Sequence, residues 1–422
     1  MLERYFVRPD TVDRIQASWI SSPINQYVTW LSEQGYSWRS VSRRVPLLVS
    51  FGDHARAQGA TTWAELPVHL DSFVASWLQH RVQGPKSSPA LKKLAKDLRN
   101  PIQQMLRLIL PDFAGTGRPV KPENPFQQWA PEFFVYLRQE RGLRETSILH
   151  YSHYLRQFAA YLQSIELTDL RHLSPPVLSG FVSEFSQKVR WASLRDACGV
   201  VRVLLRYLYR QRVLPRDLSS VVEQPHTYRL SNIPRSITWD EVRRMLEVVD
   251  CRAPRGKRDY AILLLLVTYG LRAREVAALT LDDIDWKNDR LRVPDRKADH
   301  STVYPLSPIV GQAILNCLKF ARPETTDRHL FFRTMAPGTP LTYEGISSTA
   351  SHYLHKAGIA VARPGSHTLR HTCVQRLVEA NFPLKLIGDY VGHRSPASTE
   401  IYSKVDLEAL REVACGDGEE VL

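Results

Sequence analysis

The sequence predicts a mainly α-helical protein: N-terminal helical bundles, then a mainly helical domain carrying a small antiparallel β-hairpin. Three observations predict it. Apolar residues recur at helical spacing through most of the chain. Two linkers rich in turn formers divide the 422 residues into three regions. One stretch, from Leu291 to Leu306, reads instead as two short strands about a polar turn.

The first linker is Gly115-Thr-Gly-Arg-Pro-Val-Lys-Pro-Glu-Asn-Pro125, and the second is Glu223-Gln-Pro-His-Thr-Tyr-Arg-Leu-Ser-Asn-Ile-Pro234. They set expected domains at 1–115, 124–222 and 234–422. In the middle region, Trp129, Phe133, Phe134 and Leu137 place a helix over Gln128–Glu140. Leu149, Tyr151, Leu155, Phe158, Ala159 and Leu162 place a second over Thr146–Gln163. Ser174-Pro-Pro opens a third, through Leu178, Phe181 and Phe185, and Val200–Tyr209 forms a fourth.

The N-terminal region reads as a diverged copy of that bundle. Leu31, Gly35, Phe51 and Leu66 have counterparts in Leu137, Gly142, Phe158 and Leu173, at offsets of 106 to 107. Phe73 and Trp77 match Phe181 and Phe185 at 108. Two unrelated amphipathic bundles could also align in this way. In the last region, Thr238-Trp-Asp-Glu caps a helix with an acidic first turn. Tyr260–Gly270 is an apolar helix, Leu291-Arg-Val and Thr302-Val-Tyr-Pro-Leu form the hairpin, and helices resume from Thr342.

The chain holds 56 basic and 43 acidic residues, a formal charge of +13, with hydrophobic residues at 43%. A sizeable core is affordable, and the charge favours a polyanionic partner, most commonly nucleic acid. A membrane reading is weak, because the longest apolar run, Ala261–Val267, is too short to span a bilayer. The N-terminus lacks the pattern of a signal peptide, so a cytoplasmic location is expected. Five cysteines, Cys198, Cys251, Cys317, Cys373 and Cys415, form no CxxC pair, which fits free thiols in a reducing compartment.

Chemistry-bearing residues gather in the last region. Arg272 follows Gly270-Leu271, and Glu275 three residues on shares its helix face and can orient its guanidinium. Alone, that pair is equally an ordinary surface ion pair. In His367-Thr-Leu-Arg-His371, His367 and Arg370 lie one turn apart and project together. A planar guanidinium fork and an imidazole make a suitable anion site. His367 and His371 are four apart, as in helical zinc sites, but neither an adjacent Glu nor a third ligand accompanies them, so no metal is expected. His393 follows Gly392 after a helix at Leu384–Tyr390, and Tyr402 lies nine residues beyond it. Lys297 sits in the hairpin turn, where an isolated lysine is normally just solvated.

In order and spacing these pieces resemble one family, the tyrosine recombinases, also called phage integrases. Gly270-Leu271-Arg272 with Glu275 matches its first box, and Lys297, nine residues before Leu306, matches its hairpin lysine. His367 to His371 matches its second box, and Gly392-His393, Thr399 and Tyr402 match its third. The middle bundle looks like the family's SAM-like core-binding domain. The resemblance does not clearly cover the first 115 residues, which would bind DNA or a partner.

The resemblance implies a catalytic set of Arg272, Lys297, His367, Arg370, His393 and Tyr402, supported by Glu275. Tyr402 would attack a scissile phosphodiester and form a 3′-phosphotyrosyl link, expelling a 5′-hydroxyl. Arg272 and Arg370 would hold the non-bridging oxygens, where charge builds up in the transition state. His367 and His393 would donate hydrogen bonds, with His367 able to take the tyrosine proton, and Lys297 would protonate the leaving oxygen. No cofactor is implied: the arginines stand in for metal charge, and the covalent link conserves the bond energy without ATP. Double-stranded DNA carrying specific sites is the expected partner, bound by a dimer to tetramer, with companion recombinases in prospect.

Arg202, Arg206, Arg210 and Arg212, on a candidate helix from Asp196 to Arg212, are a plausible DNA-facing set, with a solvated face as the alternative. The amphipathic segment Val405–Ala414 would dock on a neighbouring protomer or on its own domain. Integration or transposition of a mobile element is the expected use. The rival readings are a type IB topoisomerase, which shares the chemistry, and a DNA-binding accessory protein that does not cut.

Overall fold

The computed structural model describes residues 2–81, 88–113, 115, 123–225, 236–296, 300–392 and 399. The chain divides into two compact units, Gly117–Ser231 and the pair of segments Met1–Thr116 and Asn232–Leu422. Among the described residues four hydrophobic clusters form: one in the N-terminal segment, one in the middle unit and two in the C-terminal segment, the smaller of them Val374, Val378, Ile387 and Val391.

The N-terminal bundle comprises α1 (Pro9–Ala17), α2 (Ser21–Glu33), α3 (Trp38–Ala57), α4 (Leu70–Arg81) and α5 (Ser88–Ile109), with a 3-10 turn at Trp63–His69. The middle bundle comprises α6 (Phe133–Gln139), α7 (Glu145–Ser164), α8 (Pro175–Lys188) and α9 (Trp191–Arg210), with a 3-10 turn at Leu170–His172. From α2 onward the two follow one plan. Helices α3 and α7 are both 20 residues long. Gly35 and Gly142, just before them, are both left-handed, at φ 71° and 60°. Their ends match as well: Ala60 N–H donates to Ala55 at 3.0 Å, and Leu167 N–H donates to Leu162 at 3.0 Å. The left-handed residue in that turn is Gly59 in one and Glu166 in the other.

The cores repeat too. Leu31, Phe51, Leu66 and Phe73 are buried, and so are Leu137, Phe158, Leu173 and Phe181. Phe51 meets Phe73 edge-on at 5.4 Å and 67°, and Phe158 meets Phe181 at 5.0 Å and 68°. Such an edge-to-face pair adds about 0.5–1.5 kcal/mol beyond its buried area.

In the middle bundle two helices differ from the sequence reading, and the apolar helix expected over Tyr260–Gly270 runs instead over Pro254–Thr268. The helix expected over Gln128–Glu140 starts only at Phe133. Pro131 lacks an N–H and biases Ala130 away from helical geometry, and the Asn124 side chain holds the resulting turn by donating to the Ala130 carbonyl at 2.7 Å. Helix α9 starts at Trp191, nine residues before Val200, and ends at Arg210. Arg212 therefore lies beyond the helix, at φ 58°.

The C-terminal segment contains α10 (Trp239–Glu247), α11 (Pro254–Thr268), α12 (Ala273–Ala278), β1 (Ile284–Asp285), β2 (Arg290–Arg296), β3 (His300–Pro305), α13 (Pro308–Phe320), α14 (Tyr343–Lys356), α15 (Ser366–Glu379) and α16 (Leu384–Val391). Thr238 caps α10 as expected: it accepts from Glu241 N–H at 3.3 Å, and the Glu241 carboxylate accepts from Thr238 N–H at 2.9 Å. The strands make one antiparallel sheet, β1-β2-β3, with Leu291 opposite Tyr304 and Val293 opposite Thr302. Sequence reading missed β1 and also α13, which begins straight after the hairpin on Pro308 at its first position.

Helix α11 is buried on nearly all sides and forms the centre of this domain. It buries a charge as well: Asp259 accepts from Arg258 Nε at 2.9 Å and from the Tyr353 hydroxyl at 3.1 Å, while Arg258 reaches the Phe332 carbonyl at 2.7 Å. A buried carboxylate so paired is tolerated, and losing one partner is costly. The network ties α11 to α14 and to the loop before it.

Candidate active site

Helix α11 ends at Tyr269, and the chain reverses at Gly270, with φ 58°. A side chain there would be strained by that φ, and its Cβ would press on Val391 at 3.1 Å and on the Cys373 sulfur at 3.2 Å. The turn delivers Arg272 as the N-cap of α12. Glu275, buried at the third helical position, accepts from Arg272 N–H at 2.8 Å and from its guanidinium at 2.8 Å. The carboxylate thus fixes both the backbone and the side chain of the arginine. The other arm of that guanidinium donates to the Gly392 carbonyl at 2.8 Å.

Arg370 projects from α15 and is 4% exposed. It donates to the carbonyl of Gly270 and, at 2.7 Å, to that of Val391. Both arginines therefore converge on the C-terminal end of α16, where Gly392 takes a left-handed φ of 67°. Carbonyls at a helix C-terminus have no intrahelical donor and carry partial negative charge. They hold the two cations side by side, and a planar guanidinium fork is suited to an anion.

His367 lies one turn before Arg370 on α15 and is exposed to solvent. Protein packed around the ring still strips away part of its water, which lowers its pKa, and the charges of Arg370 and Arg272 lower it further. Both effects favour the neutral imidazole, the form able to accept a proton. The His371 ring is 6.3 Å away, centroid to centroid. Among the described residues no group of His, Cys, Asp and Glu is placed to hold a metal ion, and no helix is long and apolar enough to cross a membrane.

Of the residues singled out by sequence, the structure brings together Arg272, Glu275, His367 and Arg370. Lys297, His393 and Tyr402 lie outside the described residues, as does Val405–Ala414; Thr399 is described and buried. In the middle bundle, Arg202, Arg206 and Arg210 follow one another at four-residue steps on α9. Arg202 is half-buried and Arg206 donates to Ser219 Oγ at 3.2 Å; the Asp217 carboxyl is held below its usual range first by the Ser219 backbone N–H, with a smaller contribution from Arg206 and Arg202. Arg210 is exposed, and Arg212 is exposed beyond the helix end.

Sequence reasoning missed three tyrosines that brace the site. Tyr269 donates to the Pro305 carbonyl at 3.0 Å and accepts from Ser307 N–H at 2.9 Å. Tyr304 donates to the Tyr390 carbonyl, and Tyr390 donates to the Thr268 carbonyl at 3.1 Å. Their apolar spacing marks them as core, and nothing in the residue types announces the hydroxyl contacts.

A fixed arginine pair beside a histidine of lowered pKa, on a mainly helical domain preceded by a four-helix bundle, suits a class of phosphate-directed enzymes. Comparison with known proteins places the chain within that class. The phage integrase family profile matches residues 235–408, and the profile of the phage integrase N-terminal SAM-like domain matches 130–212. The candidate integrase/recombinase y4rA of Sinorhizobium fredii is 30% identical over 97% of this chain and 98% of its own length. The tyrosine recombinase XerC of Pelobacter propionicus is 26% identical over 69% of this chain and 95% of its own. Among solved structures, a lambda integrase dimer bound to a COC′ core site superposes with a TM-score of 0.53 at 16% identity, covering 66% of this chain and 94% of that one. The XerH recombinase bound to difH superposes with a TM-score of 0.52 at 16% identity, covering 83% and 95%. The chain belongs to the phage integrase family of tyrosine recombinases, enzymes of site-specific recombination that cut and rejoin DNA strands.

Proposed function

We propose that the protein cuts DNA at specific sites through a covalent 3′-phosphotyrosyl intermediate, with Tyr402 as the nucleophile. The carrying observation is the fixed Arg272–Arg370 pair with a neutral His367 beside it, at the helix end that leads directly into residues 393–402. The Tyr402 oxygen forms a bond to the scissile phosphorus while the bond from phosphorus to the 5′-oxygen breaks. His367 takes the tyrosine proton, and Lys297 gives a proton to the departing oxygen. His393 donates a hydrogen bond to the phosphate. Arg272 and Arg370 hold its non-bridging oxygens, and loss of either costs on the order of 3 kcal/mol of transition-state stabilisation. Ligation is the reverse, so neither a metal nor ATP enters the balance.

The working unit is a dimer or tetramer on double-stranded DNA, acting in the cytoplasm. The similarity to a lambda integrase dimer on a core site and to XerH on difH supports that reading. Residues 124–222 and 234–422 act as DNA-binding and catalytic domains, Arg202, Arg206, Arg210 and Arg212 contribute to the duplex contact, and residues 1–115 engage DNA or a partner. The relatives named integrase/recombinase support a mobile-element role, integration or transposition, beside companion recombinases.

The test maps cleavage on the DNA flanking the protein's own gene, comparing wild type with Tyr402→Phe. A covalent adduct present in wild type and absent from the variant is expected; an adduct that survives overturns the nucleophile. Relaxation of a supercoiled plasmid without exchange products would point instead to a topoisomerase. The pH profile checks His367 separately. Its lowered pKa keeps the proton acceptor neutral to below the usual histidine value of 6.5, so the acid limb of the cleavage rate falls below that pH. An acid limb above it removes His367 from this role.

A further inference from the structure

Three consecutive carbonyls at the end of α16 each accept from a different element. Tyr390 accepts from the Tyr304 hydroxyl on β3, Val391 from Arg370 at 2.7 Å, and Gly392 from Arg272 at 2.8 Å. The Tyr390 hydroxyl then reaches back to the Thr268 carbonyl at 3.1 Å, two residues before Gly270, whose own carbonyl takes the other arm of Arg370. A closed circuit of hydrogen bonds therefore runs from β3 through α16 and α11 to both arginines.

Tyr304 is 2% exposed, with its ring 5.1 Å from Tyr269 and edge-on to Tyr390 at 5.0 Å and 78°. Packing alone would explain a phenylalanine at this position. The hydroxyl needs another reason, and the carbonyl it meets is next in the chain to the two that aim the arginines. A peptide released at 390 carries the carbonyls of 391 and 392 with it, because consecutive peptide planes share their Cα atoms.

We propose that Tyr304 is a positioning residue for the phosphate site: through the Tyr390 carbonyl it fixes the helix end that aims Arg370 and Arg272. It touches no reacting atom. This inference rests on the reading that those arginines hold the scissile phosphate, and its test separates the two. Displacing a clamping group by a fraction of an ångström weakens its grip on the transition state more than on bound substrate.

The experiment measures single-turnover cleavage by Tyr304→Phe on a suicide duplex built on the mapped site. One duplex carries a natural scissile phosphate. A second carries a methylphosphonate there, with one non-bridging oxygen replaced by methyl and the negative charge gone. On phosphate the variant cleaves about ten- to a hundred-fold slower than wild type, with DNA affinity unchanged. On methylphosphonate, with less charge to clamp, it approaches the wild-type rate. Arg272→Ala serves as reference and is relieved in the same way.

If Arg272→Ala is not relieved, the phosphate-clamp reading falls and this proposal with it. If Arg272→Ala is relieved while Tyr304→Phe is equally slow on both duplexes, the hydroxyl serves folding only and the proposal is overturned. A wild-type rate for Tyr304→Phe on both duplexes overturns it as well. The ring is retained in the variant, and thermal unfolding of the full chain confirms that it folds.

Discussion

The two helical bundles share a scaffold and differ in what is attached to it. Buried leucines and phenylalanines recur at the same steps, and the same left-handed turns separate the helices. The polar positions diverge. Tyr27 occupies the place on α2 that Phe133 occupies on α6, and both are fully buried. Tyr27 accepts from Arg44 at 2.9 Å and donates to Gln104 at 2.8 Å, and burial pushes its pKa up to about 12. Phe133 instead meets Phe134 and Tyr207 edge-on, at 5.6 and 5.1 Å. Helix α3 opens on an exposed tryptophan, Trp38, whose ring nitrogen donates to the Tyr5 carbonyl at 2.8 Å. Helix α7 opens on Glu145, paired with Arg138 at 2.7 Å. Apolar spacing sets the scaffold, and one scaffold accepts unlike polar networks so long as each buried donor and acceptor finds a partner.

The largest test strikes the shared part. Phe51→Ala and Phe158→Ala should each cost about 3–5 kcal/mol in urea unfolding, because each leaves a cavity in a closed core. A loss under about 1 kcal/mol in only one of them would break the equivalence of the two bundles. A smaller effect sharpens the difference. Tyr27→Phe installs the ring type of the middle bundle and removes both bonds of the hydroxyl, at a cost of about 0.5–1.5 kcal/mol, because Arg44 still donates to Gln104 at 2.7 Å. A neutral result there would mean that water replaces the hydroxyl without loss. The smallest effect belongs to Glu145→Gln, which should leave the unfolding midpoint at neutral pH unchanged, since the pair is exposed and Glu123 also holds Arg138. Arg138 keeps the Glu145 carboxyl below its usual range. Any contribution is therefore complete above the ordinary carboxylate pKa and disappears as pH falls through the lowered one.

Sequence reading succeeded where function or packing writes itself into residue type and spacing. Arg272 bonds Glu275 from the N-cap of α12, and His367 and Arg370 lie one turn apart on α15. The paired leucines, phenylalanines and glycines of the bundles were legible for the same reason. It failed where a single residue overrides periodicity, as Pro131 does before α6, and where an element follows a hairpin without a linker, as α13 does. It also failed at the support of the site. The acceptors that aim the arginines are main-chain carbonyls, which carry no residue signature, and Tyr269, Tyr304 and Tyr390 look like any aromatic core positions until their hydroxyls are placed.

The end of α16 couples the two arginines to each other. Both guanidiniums donate to adjacent peptides of one helix terminus, while Glu275 and the Gly270 carbonyl each hold another arm of one of them. A small slide of that helix along its axis would withdraw one acceptor from each guanidinium at the same time, so the two arginines respond to the helix together.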